Sequence, residues 1–194
     1  MSISTDTVKE LRDATGVSVM QCKKALEEAG GDVEKAKIIL RKQSVAIASK
    51  KKDRELGAGI AAAYVHAGGS VVGAVVLSCE TDFVSKNSEF KTLAYDLAMH
   101  VAAMNPQFRT RDDVKEEDLK AAREVFEKEA SNVPEVVRRK AVEGKLNSYL
   151  SERVLLEQAF VKDPSVTIRT LLDSAVQKFG ERVELVRFER LSVK

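Results

Sequence analysis

The sequence has few of the residues on which metal and thiol chemistry depend. It contains two cysteines, Cys22 and Cys79, which fall in separate predicted modules and make no metal-ligand pair. Neither His66 nor His100 has a cysteine at ligand spacing, and each is most simply structural. We therefore expect no metal and no cofactor. A reducing cytoplasm is the simplest location for a chain with this cysteine content.

Charge of one sign and long hydrophobic runs are also missing. The formal net charge is +2, so no overall basic field indicates a specific nucleic-acid partner. No apolar run approaches the roughly 20 residues needed to cross a bilayer, and residues 1–6 carry neither a basic segment nor an apolar run. We expect no signal peptide and no membrane partner. A hydrophobic content of 44% with 32% charged residues instead fits a soluble globular protein.

Two nucleotide-binding patterns are absent or misplaced. The chain contains no GxxxxGK[ST] sequence, so we do not expect it to bind a nucleoside triphosphate through such a loop. Residues 57–62 fit a GxGxxA pattern, but a charged helix is predicted before them and a strand after them. A dinucleotide fingerprint must follow a strand and open a helix, so we reject this match.

Residues 1–41 are predicted to form three short helices around a small shared core. A capping box of Thr7 and Glu10 would open the first helix, and Gly16 would end it. Ser18 can cap the second helix. Such a module lies near the lower size limit for independent folding, which is about 40 residues. It is either a helical cap on the main domain or a docking module.

Residues 42–57 are predicted to be a basic helix tail that runs into a linker. The basic side chains are Lys42 and then a run of Lys50, Lys51, Lys52 and Arg54. A run of like charge is usually a solvated face, and binding to RNA or to the ribosome is the alternative.

Residues 58–194 are predicted to form an α+β core with an antiparallel sheet and helices on one face. Strands are expected at residues 60–66 and 71–77, joined by a hairpin turn, and a last strand begins at Val183. Residues 157–164 have turn chemistry and are predicted to be a connection.

Residues 80–86 form a short connection between an apolar strand and an amphipathic helix. Thr81 and Asp82 are ordinary turn residues, but Phe83 and Val84 form an apolar pair where polar residues are expected. Spacing leaves two alternatives for Phe83. Its ring folds back against the local core, or the connection is a rigid tip that offers an acid and an aromatic ring to a partner.

Two segments resemble the elongation factor Ts family, the bacterial nucleotide-exchange factors for elongation factor Tu. The first is Cys-Glu-Thr-Asp-Phe-Val at residues 79–84, which is similar to the signature segment of the family. The second is Leu-Arg-Asp-Ala-Thr-Gly-Val-Ser-Val-Met-Gln-Cys-Lys-Lys-Ala-Leu at residues 11–26. The resemblance covers essentially the whole chain. Val76 and Ser78 replace the usual Glu and Asn, and Ala159 replaces a proline.

The resemblance implies an exchange factor rather than an enzyme. It would bind elongation factor Tu in the GDP-bound and nucleotide-free forms and promote GDP release. Phe83 would be a wedge against the partner's G domain and Asp82 a polar contact beside it, with Thr81 and Val84 as their supports. Residues 1–41 would be a ubiquitin-associated-like module.

The resemblance also implies further contacts. In the family, the end of the first helix and the start of the second contact the partner's G domain, which points here to Arg12, Val19, Met20 and Lys23. A short member with a single sheet module would associate as a homodimer through that module and the C-terminal strand.

Two other classes of function remain as alternatives. One is a thiol enzyme that uses Cys79 with His66 or His100, although a buried inert thiol is the expectation for a cysteine that ends an apolar strand. The other is an RNA-binding module that uses residues 50–54.

Overall fold

Eight α-helices and five strands make up the part of the chain that the computed structural model describes, residues 3–132 and 134–193. In chain order they are α1 Thr5–Thr15, α2 Val19–Glu28, α3 Val33–Lys51, β1 Ala58–Val65, β2 Val71–Cys79, α4 Asp82–Lys86, α5 Ser88–Met104, α6 Glu116–Glu129, α7 Glu135–Ser151, β3 Ala159–Phe160, β4 Asp163–Thr167, α8 Ile168–Phe179 and β5 Val183–Ser192. This is a mixture of helix and small antiparallel sheets, so the predicted α+β class is confirmed.

The chain divides into two compact units. The first comprises Met1–Ala62, Val75–Asp96 and Arg169–Val186, and the second comprises Ala63–Ala74, Leu97–Ile168 and Arg187–Lys194. The segment boundaries predicted at residues 41 and 57 stay predictions.

The first three helices of the first unit share one apolar core. Its buried side chains come from all three helices and the α1–α2 turn: Val8, Leu11, Val17, Cys22, Ala25, Leu26, Ala36 and Leu40. Gly16 ends α1 with φ 66°, as predicted, and Ser18 caps α2 by accepting from the Gln21 N–H.

The capping box predicted for Thr7 and Glu10 is wrong. α1 begins three residues earlier, and Ser4 is its cap because the Ser4 side chain accepts the Thr7 N–H at 3.1 Å. Thr7 therefore lies within the first turn of the helix.

Strands β1, β2 and β5 form a three-stranded sheet in the order β1-β2-β5. β1 and β2 are joined by a short 3₁₀ turn, Ala67–Gly69, and a connection of this length requires an antiparallel pair. A Cβ at Gly59 in β1 would lie 2.6 Å from the carbonyl oxygen of Leu77, so only glycine fits this close approach. The GxGxxA pattern therefore lies largely on a strand, which agrees with its rejection as a dinucleotide site.

Residues 157–164 are not the simple connection that the sequence predicts. β3 and β4 pair there as a small antiparallel sheet, with Ala159 opposite Thr167 and Phe160 opposite Asp163. Strand β5 also continues to Ser192, at the edge of the three-stranded sheet.

Helices α6 and α7 pack against each other in the second unit. Their core contains Ala130, Val142 and Leu146, and the rings of Phe126 and Tyr149 meet edge to face at 6.0 Å between centroids. Among the described residues, no helix has both the length and the apolar content to cross a membrane.

Candidate partner-binding site

Residues 82–86 form a single helical turn, α4, between the end of β2 and the start of α5. Successive residues of a helix point about 100° apart. Val84 therefore packs inward, with 4% of its surface exposed, whereas the neighbouring Phe83 is 81% exposed. Of the two alternatives for the Phe83 ring, the structure has the outward one. We call residues 81–84 the tip.

An acidic group lies beside this ring. The Lys86 ammonium donates to Oδ2 of Asp82 at 2.6 Å, and both side chains are 74% exposed. The hydrogen bond from Lys86 holds the pKa of Asp82 below its ordinary value, so the carboxylate is charged at neutral pH. Since an exposed pair of this kind contributes little to folding, Asp82 can exchange Lys86 for a partner at small cost.

The base of the tip is bound by a carboxylate from the turn between α8 and β5. Oε2 of Glu181 accepts the backbone N–H of Glu80 at 3.1 Å and that of Thr81 at 3.0 Å. Oε1 of Glu181 accepts the hydroxyl of Thr81 at 2.5 Å. The Thr81 side chain is thus used at the base of the tip and makes no cap hydrogen bond to α4.

The carboxylate of Glu80 forms the opposite set of contacts. It accepts the backbone N–H of Arg182 at 2.5 Å and the guanidinium of Arg54 at 3.2 Å. Partial burial would raise the pKa of Glu80, but the Arg182 N–H and the Arg54 guanidinium outweigh it and leave the pKa lowered. Glu80 is therefore a charged acceptor under the tip.

Three of the four N-terminal contact candidates lie together. Arg12, Val19 and Lys23 line one open groove between α1 and α2, together with Ile3 and Val8. Lys23 is exposed there and lies 3.9 Å from Glu27.

Met20, the fourth candidate, does not line the groove. It stands in the first turn of α2 with 81% of its surface exposed, next to Val19 at 55%. The start of α2 therefore presents two apolar side chains to solvent.

The α1–α2 turn lies against the end of α8. A Cβ at Gly16 would be 2.7 Å from Nζ of Lys178 in α8. The same Nζ donates to Oε1 of Glu89 at 2.6 Å, at the start of α5 and directly after α4. Lys178 thus lies between the α1–α2 turn and the start of α5.

Comparison with known proteins identifies the family of this fold and site. A sequence-family model described as "Elongation factor TS" matches residues 44–194. Elongation factor Ts of Herpetosiphon aurantiacus is 47% identical over 195 residues, covering 100% of this chain and 98% of the relative. Elongation factor Ts of Thermosipho melanesiensis is 45% identical, with 98% of each chain covered. The chain belongs to the elongation factor Ts family.

The full-length relatives of the elongation factor Ts family also cover the N-terminal helices, which lie mostly outside the matched range of the family model. Elongation factor Ts of Carboxydothermus hydrogenoformans is 44% identical over 98% of this chain and 89% of its own. The groove and the tip both fall within the region that these relatives share.

The thiols of this elongation factor Ts family member are not placed for nucleophilic chemistry. Cys79 is fully buried, and its Sγ donates to the carbonyl oxygen of Thr81 at 3.2 Å. Burial raises the pKa of Cys79, and the charge of Glu181 raises it further. Burial likewise raises the pKa of Cys22. A thiol with a raised pKa and no exposure is a poor nucleophile, so the structure gives no support to a thiol enzyme.

Some side chains of the basic run, residues 50–54, make contacts within the protein. Lys51 donates to the carbonyl oxygen of Gly180 at 2.6 Å, and Arg54 pairs with Glu80. Two of the four cations in residues 50–54 therefore contact the turn after α8 and the residue before the tip. No cluster of histidine, cysteine or acidic residues that could hold a metal occurs in the ranges 3–132 and 134–193.

Sequence reasoning missed Glu181, Arg182 and the role of Arg54. Glu181 lies about a hundred positions from Glu80 and Thr81, whose groups donate to it, and no spacing rule connects segments so far apart. The only local signal is Gly180, which ends α8 with φ 70° and marks a tight turn at that point.

Proposed function

We propose that this protein is a guanine-nucleotide exchange factor that binds elongation factor Tu and promotes GDP release during translation elongation. Membership of the elongation factor Ts family supports the proposal. The observation that carries it is the Phe83 ring, which is 81% exposed. The next residue, Val84, is buried, and Glu181 accepts the backbone N–H of Thr81 at the base of the tip. A large apolar ring held outward on a rigid support is the kind of anchor that dominates a protein interface.

The proposed mechanism is an allosteric one. A ligand that binds the nucleotide-free partner more tightly than the GDP-bound partner must weaken GDP binding by the same factor. The tip acts as a wedge in the G domain of elongation factor Tu, where Phe83 fills space between helices and Asp82 makes a polar contact. Thr81 and Val84 support the ring from below. The chain catalyses no covalent step and uses no cofactor in this scheme.

The N-terminal helices form the second proposed contact. We assign them to a ubiquitin-associated-like module that holds the G domain through Arg12, Val19, Met20 and Lys23. The exposed Val19 and Met20 at the start of α2 support this role, because methionine adapts well to apolar partner surfaces. Binding through the N-terminal helices would raise the effective concentration of the tip at its target, so neither contact has to be strong by itself.

The proposed working form is a cytoplasmic homodimer. β1 and β5 are the outer strands of the three-stranded sheet, and β5 exposes Leu191 at 67%. Val65 of β1 is also 59% exposed. Outer strands with exposed apolar side chains are suited to association with a second copy.

The experiment that tests the function is release of a fluorescent GDP from elongation factor Tu, chased with excess unlabelled GDP. Addition of this protein is expected to increase the release rate in proportion to its concentration until it saturates. An equal concentration of heat-denatured protein is the control. A release rate that stays at the spontaneous value would contradict the proposal.

A further inference from the structure

Glu181 is the acceptor that three donors at the base of the tip share. Its two oxygens take the N–H groups of Glu80 and Thr81 and the Thr81 hydroxyl, at 3.1, 3.0 and 2.5 Å. Hydrogen bonds to an ionised acceptor are shorter and stronger than those between neutral groups. One side chain therefore fixes two consecutive peptide units directly before the helical turn that carries Phe83.

The contacts are reciprocal. The carboxylate of Glu80 accepts the backbone N–H of Arg182, while the carboxylate of Glu181 accepts the backbone N–H of Glu80. The Arg182 guanidinium in turn donates to the carbonyl oxygen of Arg54 at 2.5 Å. β2 ends just before Glu80 and β5 begins just after Arg182, and the two strands are neighbours in the sheet. A carboxylate beside the end of each strand thus accepts a backbone N–H beside the end of the other strand.

We propose that Glu181 is a positioning residue for partner binding, which fixes the base of the tip so that the Phe83 ring projects in one direction. The inference rests on the proposed function, since Phe83 meets a partner only there. A binding group that is ordered before it meets its partner loses less conformational freedom on association. Glu181 acts through Phe83 and does not itself touch elongation factor Tu.

The geometry predicts how substitutions of Glu181 will differ. Glutamine keeps all three hydrogen bonds: its amide oxygen can accept both N–H groups, and its amide nitrogen can donate to the Thr81 hydroxyl oxygen. Alanine keeps none of the three bonds. The pair Glu181→Gln and Glu181→Ala therefore separates hydrogen bonding at this position from its charge.

The first measurement needs no partner. In the wild type the amide protons of Glu80 and Thr81 should be protected from hydrogen–deuterium exchange, as followed by NMR. Loss of their acceptor in Glu181→Ala should speed exchange of both by about tenfold or more, while Glu181→Gln should stay within about threefold. Unprotected amides in the wild type would overturn the proposal.

The second measurement is a double-variant cycle in the fluorescent-GDP assay. Glu181→Ala alone should weaken the apparent affinity for elongation factor Tu by about three- to tenfold, and in a Phe83→Ala background by less than about twofold. A residue that only stabilised the fold would give the same factor in both backgrounds. Glu124→Ala removes an exposed glutamate from α6 and is the control.

The outcomes separate the two proposals. A wild type that does not accelerate GDP release overturns the proposed function, and this inference with it. An active wild type in which Glu181→Ala has equal effects in both backgrounds overturns the positioning role alone. If Glu181→Ala does not fold, Thr81→Val removes one of the three bonds, and its smaller loss must likewise disappear in the Phe83→Ala background.

Discussion

His100 is a fully buried ring whose two nitrogens are both occupied. Nε2 lies 3.0 Å from Oε1 of Gln158, and Nδ1 accepts the backbone N–H of Val161 at 3.2 Å. Since Nδ1 is an acceptor, the ring is neutral and donates from Nε2. Burial lowers the pKa of His100, and the hydrogen bond to Gln158 offsets this only in part. The neutral ring is therefore the form that the fold selects.

This burial predicts a loss of stability on mild acidification. Below about pH 6.5, the ordinary pKa of histidine, His100 binds a proton in the unfolded chain but not in the folded chain. The free energy of unfolding should therefore fall as the pH drops from about 6.5 towards the lowered pKa of His100, by at most about 1.4 kcal/mol per pH unit. Urea unfolding at a series of pH values measures this slope.

The two histidines supply the comparison. His100→Gln should remove the slope in this window, whatever its effect on stability at pH 8. Substitution of the exposed His66 by glutamine should leave the slope in place. Equal slopes for the wild type and His100→Gln would contradict the assignment.

At the scale of elements, two glycines predict opposite effects of the same substitution. Gly73 in β2 lies against α5, and an added Cβ would meet the carbonyl oxygen of Ala98 and, at 2.7 Å, the backbone nitrogen of Ala102. Gly73→Ala should lower the free energy of unfolding by about 1–3 kcal/mol, because a strand must move away from a helix.

Gly144 is the matched case. It lies within α7, and a Cβ there would meet nothing within 4 Å. Gly144→Ala should raise the free energy of unfolding by up to about 1 kcal/mol, because alanine favours a helix over glycine. Thermal or urea unfolding of both variants is the check, and a change of the same sign in both would be inconsistent with the packing described.

The features that the sequence predicted best are helix ends that are set by residues close by in the sequence. Gly16 and Ser18 sit at helix ends as expected, since each cap involves partners at most four positions away. Asn105, with a positive φ of 48°, follows the end of α5 directly before Pro106, another residue pair that ends a helix by local chemistry. Local chemistry was sufficient in these places.

What the sequence could not predict depends on distant partners. The pairing of β3 with β4 and the acceptor role of Glu181 arise from tertiary contacts that carry no local pattern. For Phe83, spacing allowed an inward or an outward ring. In the structure Val84 fills the core position, so the adjacent Phe83 ring points outward.

At the scale of the whole molecule, the dimer proposal predicts a mass. The chain has a mass of 21.3 kDa, so sedimentation velocity at working concentration should give twice that value. Leu191→Lys replaces an exposed apolar side chain of β5 by a charged one and should shift the population towards monomer. Val136→Lys, at a position 94% exposed on α7, is the control and should leave the mass unchanged. A single sharp monomer mass for the wild type would refute the dimer.

The proposed exchange activity also belongs to the whole molecule, because the proposed mechanism uses the N-terminal groove, the tip and the partner together. In the proposed mechanism the tip accounts for most of the nucleotide release, since Phe83 is the side chain assigned to fill space inside the G domain. Asp82 is exposed and already paired with Lys86, so its contribution should be smaller.

The most direct test compares Phe83→Ala with Asp82→Ala in the fluorescent-GDP release assay, with circular dichroism to verify the fold. Phe83→Ala should reduce the stimulated release by about tenfold or more, as expected for a central aromatic anchor, and Asp82→Ala by about two- to threefold. Val136→Ala, which truncates an apolar side chain on α7 that is 94% exposed, should match the wild type. Full stimulation by a correctly folded Phe83→Ala protein would contradict the wedge.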